Sequence, residues 1–203
     1  RTFGDGTEGL ITDFCVRRAA KSIDRRANEA KISRLRNPPT CHEAIMSKTF
    51  DINIDCGESL GNWVMGADEA LMPHVTTANV ACGFHAGDPM TMQKTVRLAK
   101  ANNVAVGAHP GLPDLIGFGR RTMSMTADEV YAMTVFQVGS LKAMLETEGM
   151  TMHHMKPHGA FYAMLSVDEA LGEAFCRATI DVCPEPMIYY PAPVAQHAVT
   201  RIA

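Results

Sequence analysis

The sequence predicts an α/β fold on a parallel sheet, arranged as a β/α barrel rather than an open doubly wound sheet. Two observations carry the class. From Met46 onward, short strand-like runs alternate with helical patterns, the rhythm of successive β/α units. Each of the best helical patterns also opens on a capping signal. A third observation selects the barrel. In the first strand Asp51, Asn53 and Asp55 share one face and Ile52 and Ile54 the other, because side chains alternate with period two. An open sheet covered by helices needs both faces apolar, whereas a barrel tolerates carboxylates on its inner face near the mouth.

Strand one is expected at residues 49–54, followed by a short helix near Asp68–Met72. Strand two is expected at residues 76–82. Asp88 then caps a helix with Pro89 in its first turn and Met92, Val96, Leu98 and Ala99 on one face. Strand three follows at residues 104–108. Thr126 and Glu129 form a capping box for a long helix with Val130, Met133, Val138, Leu141 and Leu145 at helical spacing, ended by Gly149. Strand four is expected at residues 152–156. Ser166 and Glu169 read as a second capping box, before Leu171, Phe175 and Ile180. Strand five falls at residues 187–190, and a last helix begins near Pro193.

Residues 1–45 differ in texture. They are Arg-rich, with no strand pattern, and the run from Arg36 to Thr40 reads as a linker. They are expected to be a disordered or non-native extension, with residues 46–203 forming the barrel domain. Asp5, Glu8, Asp13, Asp24 and Glu29 argue against a transit peptide, which is acid-poor.

The whole chain has 203 residues, 46% hydrophobic and 20% charged, with net charge −3. That balance is ordinary for a globular protein and too weakly charged to point to nucleic acid or an anionic membrane surface. The six cysteines are scattered with no CxxC pair, so they are expected to be free thiols in a cytoplasmic protein. No apolar run is long enough to span a bilayer.

Four polar clusters fall at the ends of expected strands, where ligands bind in parallel β/α folds. The first, residues 53–59, contains Asn53, Asp55 and Glu58. Their bland alternative is a turn cap and a solvated side chain. The second, residues 79–88, contains Asn79 and places His85 among Gly83, Ala86 and Gly87, beside Asp88. The third runs from Gly107 through His109 to Arg120 and Arg121, across a connection long enough to be functional. Either arginine could fork onto a carboxylate or phosphate, or simply be solvated. The fourth, residues 153–159, puts His154, Lys156 and His158 on one face. An inward Lys156 needs a carboxylate partner or a depressed pKa, and Asp55 and Asp51 are the candidates. His153 points outward.

Asp55, Glu58, His85, His109, Lys156 and His158 together suit proton transfer at a carbonyl. Asn53, Asn79, Arg120 and Arg121 are the expected substrate contacts. No HExxH, P-loop or GxSxG motif is present. Asp55, His85 and His109 could alternatively hold a metal with one open position. That would make the protein a metal-dependent carbohydrate deacetylase or amidohydrolase. A third reading is a non-catalytic scaffold.

The blocks DINIDCGESLGNW, TTANVACGFHAGDPMTM, GAHPGLPDLIGFGRR, FQVGSLKAML and HHMKPHGAFY closely resemble, in order and spacing, the signature blocks of the LamB/YcsF family. The resemblance implies a variant β/α barrel of the glycoside hydrolase/deacetylase-like type, incomplete here because family members continue well past residue 203. It implies the A subunit of an ATP-dependent 5-oxoprolinase, working with subunits B and C to open 5-oxoproline to L-glutamate. ATP is then a co-substrate of the complex, and a divalent metal is compatible but not indicated by the resemblance. Residues 1–45 and the segment Tyr189–Pro193 depart from the family pattern.

Overall fold

The computed structural model describes residues 50–185 and 187–190. The elements are β1 (Asn53–Cys56), α1 (Asp68–Leu71), a 3₁₀ turn (Met72–His74), β2 (Thr77–Ala81), α2 (Pro89–Ala101), β3 (Ala105–His109), α3 (Ala127–Thr147), β4 (His154–Met155), α4 (Gly159–Val167) and α5 (Glu169–Val182). All lie in the unit that starts at Asp51. The extension expected over residues 1–45 and the helix expected from Pro193 lie outside the described residues.

The four strands are parallel and stand in the order β1-β2-β3-β4. Met155 also bridges Ile188 in parallel. Its N–H donates to the Met187 carbonyl, and its own carbonyl accepts from the Tyr189 N–H, both at 2.8 Å. The expected fifth strand therefore takes the next place in line as a bridge. Spatial order follows chain order without reversal, as barrel staves do and doubly wound sheets do not.

Alternation along the strands separates two environments. Cys56, Ala78, Val80, Val106, Ala108 and Met155 point to one side and pack in a buried cluster with Val96 and Ala99 of α2 and Val138, Leu141 and Leu145 of α3. Asn53, Asp55, Thr77, Asn79, Gly107 and His154 occupy the intervening positions, and this face is polar. A second cluster joins Leu112, Val130, Phe161, Leu165 and Phe175. It packs α3 and α4 with α5. Each such Leu or Phe, fully buried, stabilises the fold by about 1.5–3 kcal/mol.

The local signals hold in two of three cases. Asp88 caps α2, accepting from the Met90 and Thr91 N–H groups at 2.9 Å. Thr126 and Glu129 form the reciprocal box at α3. The second box is corrected. Ser166 lies inside α4, its hydroxyl donating to the Tyr162 carbonyl at 2.8 Å. Asp168 caps α5, accepting from Ala170 and Leu171. Burial of Phe161 and Leu165 carries α4 through Ser166, so Asp168 is the first residue free to take the extended cap conformation. Strand bounds shift as well. The β1 ladder runs to Cys56 rather than ending at residue 54, and β4 contracts to two residues before Pro157. Among the described residues, Cys56, Cys82, Cys176 and Cys183 are free thiols, and no helix is long and apolar enough to cross a membrane.

Candidate active site

The polar sheet face is a continuous hydrogen-bonded layer. Asn53 and Asn79 exchange side-chain amide bonds at 3.1 and 2.6 Å. Asn79 also donates to Asp55 Oδ1 at 2.7 Å and accepts from His154 Nε2. With both amides spent inside the protein, Asn53 and Asn79 act first as supports for Asp55. His154 is buried, which pushes its pKa down to about 4 and keeps it neutral at pH 7. It reaches Asn79 across β3 because Gly107, in register with both residues, has no side chain.

Above this layer, Lys156 Nζ donates to Asp55 Oδ1 at 2.6 Å. Of the two partners expected for Lys156, Asp55 is the one used, while Asp51 binds Thr76, Thr77 and Tyr189. Burial opposes ionisation of Asp55, but His109, Lys156 and Asn79 outweigh it and hold the carboxyl well below the usual range. Asp55 is thus a fixed anion. It holds Lys156 in place and is a poor proton acceptor.

Three histidines floor the site. His85 comes from the β2–α2 loop, His109 from the last position of β3 and His158 from the start of α4. Each is nearly fully buried. His85 and His158 stack with ring centroids 3.7 Å apart, and His109 meets both edge-on. Burial, reinforced by the neighbouring His85 and His109, pushes the His158 pKa down to about 3. Burial lowers that of His85 too. Glu58 Oε1 stands 3.6 Å from His85 Nε2, too far for a hydrogen bond. Asp88, the cap of α2, also accepts from the Gly61 N–H at 2.8 Å.

The β3–α3 connection closes over these rings. Phe118 adopts φ 53° and turns its carbonyl to His158 Nε2 at 2.7 Å. Gly119, at φ 62°, lies where an added Cβ would sit 2.7 Å from His85 Cβ and 2.9 Å from the His158 ring. Only glycine permits both that φ and that approach. The two adjacent arginines part here. Arg120 lies over the Phe118 ring and lines an open cleft together with Asp55, His109, Lys156, His158 and Tyr189. Arg121 binds Asp114 instead and holds its carboxyl down at about 2. The structure therefore brings together nine of the ten expected residues and leaves Arg121 as a clasp of the loop.

Sequence reading missed Tyr189, which stacks on His154 at 4.0 Å, and Gln137. Gln137 is fully buried in α3 and clasps the Gly111 backbone, accepting from its N–H at 2.9 Å and donating to its carbonyl at 3.0 Å. A polar residue on the buried stripe of α3 was the available signal. Gln137→Leu keeps the volume but strands both Gly111 groups in the interior. The expected cost is about 2 kcal/mol, read as a lower urea midpoint. A change below about 0.5 kcal/mol would show that the clasp contributes nothing.

A model of the LamB/YcsF family matches residues 50–202. The A subunit of 5-oxoprolinase from Tolumonas auensis is 52% identical over 139 residues, covering 68% of this chain and 55% of that protein. Its counterpart from Brevibacillus brevis is 51% identical over 142 residues, covering 70% and 56%. Among solved structures, the lactam utilization protein from Thermus thermophilus is similar with TM-score 0.73 and 43% identity, over 77% of this chain and 62% of that one. The chain spans little more than half the length of the curated relatives it matches. The family match extends over β1 to α5 and every residue of the site, and the chain belongs to the LamB/YcsF family.

Proposed function

We propose that this chain is the site-bearing part of the A subunit of an ATP-dependent 5-oxoprolinase. It acts with subunits B and C to hydrolyse the activated lactam of 5-oxoproline to L-glutamate. The observation that carries the reading is the cleft in which the Asp55–Lys156 pair, Arg120 and buried histidines meet, in a chain half identical to proteins named as the A subunit of 5-oxoprolinase.

A lactam is a poor electrophile, so ATP serves by phosphorylating the lactam oxygen. Water then adds to the ring carbon. Protonation of the ring nitrogen lets the C–N bond break, leaving an acyl phosphate. A second water hydrolyses it to the glutamate carboxylate and inorganic phosphate. Lys156 and Arg120, both on the cleft wall, are assigned to the substrate carboxylate and the phosphoryl oxygens. Water activation and protonation of the ring nitrogen are assigned to His109 and His158, which line the cleft, with His85 and Glu58 behind them. The nucleotide is assigned to the partner subunits, since the sequence has no phosphate-binding loop.

The test mixes this chain, extended to the length of its relatives, with subunits B and C and follows glutamate formation from 5-oxoproline. Glutamate is expected only when all three subunits and ATP are present. No glutamate from a folded protein with active partners would transfer support to the metal-dependent deacetylase or amidohydrolase reading. Full activity of the partners alone would reduce this chain to a scaffold.

A further inference from the structure

His109 and His158 are held by their outer nitrogens in a way that fixes what lies between them. His109 Nδ1 is hydrogen-bonded to the Lys156 carbonyl, and His158 Nε2 to the Phe118 carbonyl at 2.7 Å. A carbonyl oxygen can only accept, so both nitrogens carry hydrogen. The remaining nitrogens, His109 Nε2 and His158 Nδ1, face each other in hydrogen-bond geometry at 3.1 Å. Were both rings neutral, this contact would set lone pair against lone pair. Turning either ring over puts a carbon in place of nitrogen at both of its contacts, so no flip removes the clash. One additional proton does. It turns the contact into an N–H···N hydrogen bond and gives the two rings a single positive charge.

We propose that His109 and His158 hold one proton between them, as an imidazolium–imidazole pair with Asp55 as counter-ion, and that this pair is the acid of the cleft. Asp55 divides its two oxygens between two cations. Oδ1 is taken by Lys156 and Asn79, and Oδ2 is left facing His109 Nε2 at 3.5 Å. An opposite charge at this distance favours the charged form of an imidazole. Burial holds His158 neutral, its pKa pushed down to about 3. The proton therefore rests on His109 Nε2, and His158 Nδ1 accepts it.

The other titratable groups around the pair leave this charge in place. His85 stacks on His158 with centroids 3.7 Å apart and meets His109 edge-on. Burial lowers its pKa, so it brings no second charge. Glu58 adds a carboxylate 3.6 Å from His85 Nε2. Burial pushes the Cys82 thiol up to about 12, so it stays uncharged. Lys156 and Arg120 place positive charge on the cleft wall, which opposes the proton and makes the Asp55 contact necessary to hold it.

Both rings line the cleft. On the lactam reading, on which this role rests, theirs is the proton that the ring nitrogen receives. His109 Nε2 gives it up as the C–N bond breaks, and the bonding electron pair stays on nitrogen. The two rings are then neutral, with their lone pairs opposed. They regain a proton from the water that has bonded to the ring carbon, and the pair returns unchanged. The hydrogen bonds to the Lys156 and Phe118 carbonyls keep both rings in place throughout.

The test is nitrogen-15 NMR of the histidine rings, on the chain extended to the length of its relatives. It is run at about pH 7.5, where a histidine of ordinary pKa, about 6.5, is mostly neutral. His109 is expected to show two N–H nitrogens, and His158 one N–H nitrogen at Nε2 with an accepting Nδ1. Asp55→Asn should return His109 to the neutral form. If that variant does not fold, the wild-type spectrum decides alone: it must contain one ring with two N–H nitrogens, one of them coupled across a hydrogen bond to a nitrogen of a second ring. Two neutral rings in the folded wild type, or a folded Asp55→Asn chain in which His109 keeps both N–H nitrogens, would overturn the pair. In the reconstituted complex, glutamate formation should fall at least tenfold as rising pH removes this proton, with the same midpoint as the NMR change. A rate that stays level across that range would remove the pair as the acid. A charged pair in a folded protein that forms no glutamate with active partners would uphold the pair and reject the lactam reading, its donor role included. Glutamate formation by a protein with both rings neutral would do the reverse.

Discussion

Asp55→Asn is expected to slow ATP-dependent glutamate formation by the reconstituted complex at least about a hundredfold, the low end for losing a group that acts in proton transfer or positioning. The substitution preserves shape and removes charge. Asp55 Oδ1 accepts from Lys156 at 2.6 Å and from Asn79 at 2.7 Å, and Oδ2 faces His109 Nε2 at 3.5 Å. An amide in its place must direct N–H groups at one of these donors. It can no longer anchor the Lys156 ammonium, whose only ion-pair partner among the described residues is Asp55. The Asp55 side chain is 38% exposed, so water can replace the lost contact, and stability should change by no more than about 1 kcal/mol. Activity and stability therefore separate.

Lys156→Gln should give a similar loss. If the pair works as a unit, the double variant should be little slower than either single one, because groups that act together are non-additive. A rate within tenfold of wild type for Asp55→Asn would remove the pair from the mechanism. Additive losses in the double variant would mean that the two residues act separately.

That pair was legible in the sequence. Asp55 and Lys156 are 101 residues apart, yet strand alternation placed both on the inner face and charge required a partner for the lysine. The same reasoning located His109 at the end of β3 and His158 just past β4. The caps at Asp88 and Thr126 were legible because everything they need lies within a few residues. Signals failed where a local match competed with a distant contact. Ser166 and Glu169 fit a capping box in sequence, but burial of Phe161 and Leu165 extends α4 past Ser166. That helix went unseen because its run from Gly159 to Val167 is apolar nearly all round and shows no amphipathic stripe.

Arg120 and Arg121 could not be distinguished by type. The left-handed turn at Phe118 and Gly119 sends one over the Phe118 ring and the other to Asp114. The stacking of His85 on His158 depends on the same loop folding back over both rings. The inner-face histidine of β4 was visible by periodicity, but its support of Asn79 depends on an empty position in the neighbouring strand.

Gly107→Ala is expected to destabilise the protein by about 3 kcal/mol, combining overpacking with a lost buried hydrogen bond. A Cβ at Gly107 would lie 2.4 Å from Cδ2 and Nε2 of His154 and 2.5 Å from Cε1. The ring cannot simply back away, because Tyr189 stacks on it at 4.0 Å with an interplanar angle of 13°. If the ring swings out, Asn79 loses its His154 donor, Tyr189 loses its stacking surface, and the Met155–Ile188 bridge beside them loosens. About 3 kcal/mol is a large fraction of a typical domain's stability, so the urea midpoint should fall clearly. Because the cause is a collision, removing the other partner should relieve it. Gly107→Ala/His154→Ala is expected to be more stable than the sum of the two single losses predicts, with a coupling of at least about 1 kcal/mol. Additive losses would mean that the His154 ring accommodates the methyl group elsewhere. A Gly107→Ala chain within about 0.5 kcal/mol of wild type would show that the inner layer of β2, β3 and β4 is not packed as described.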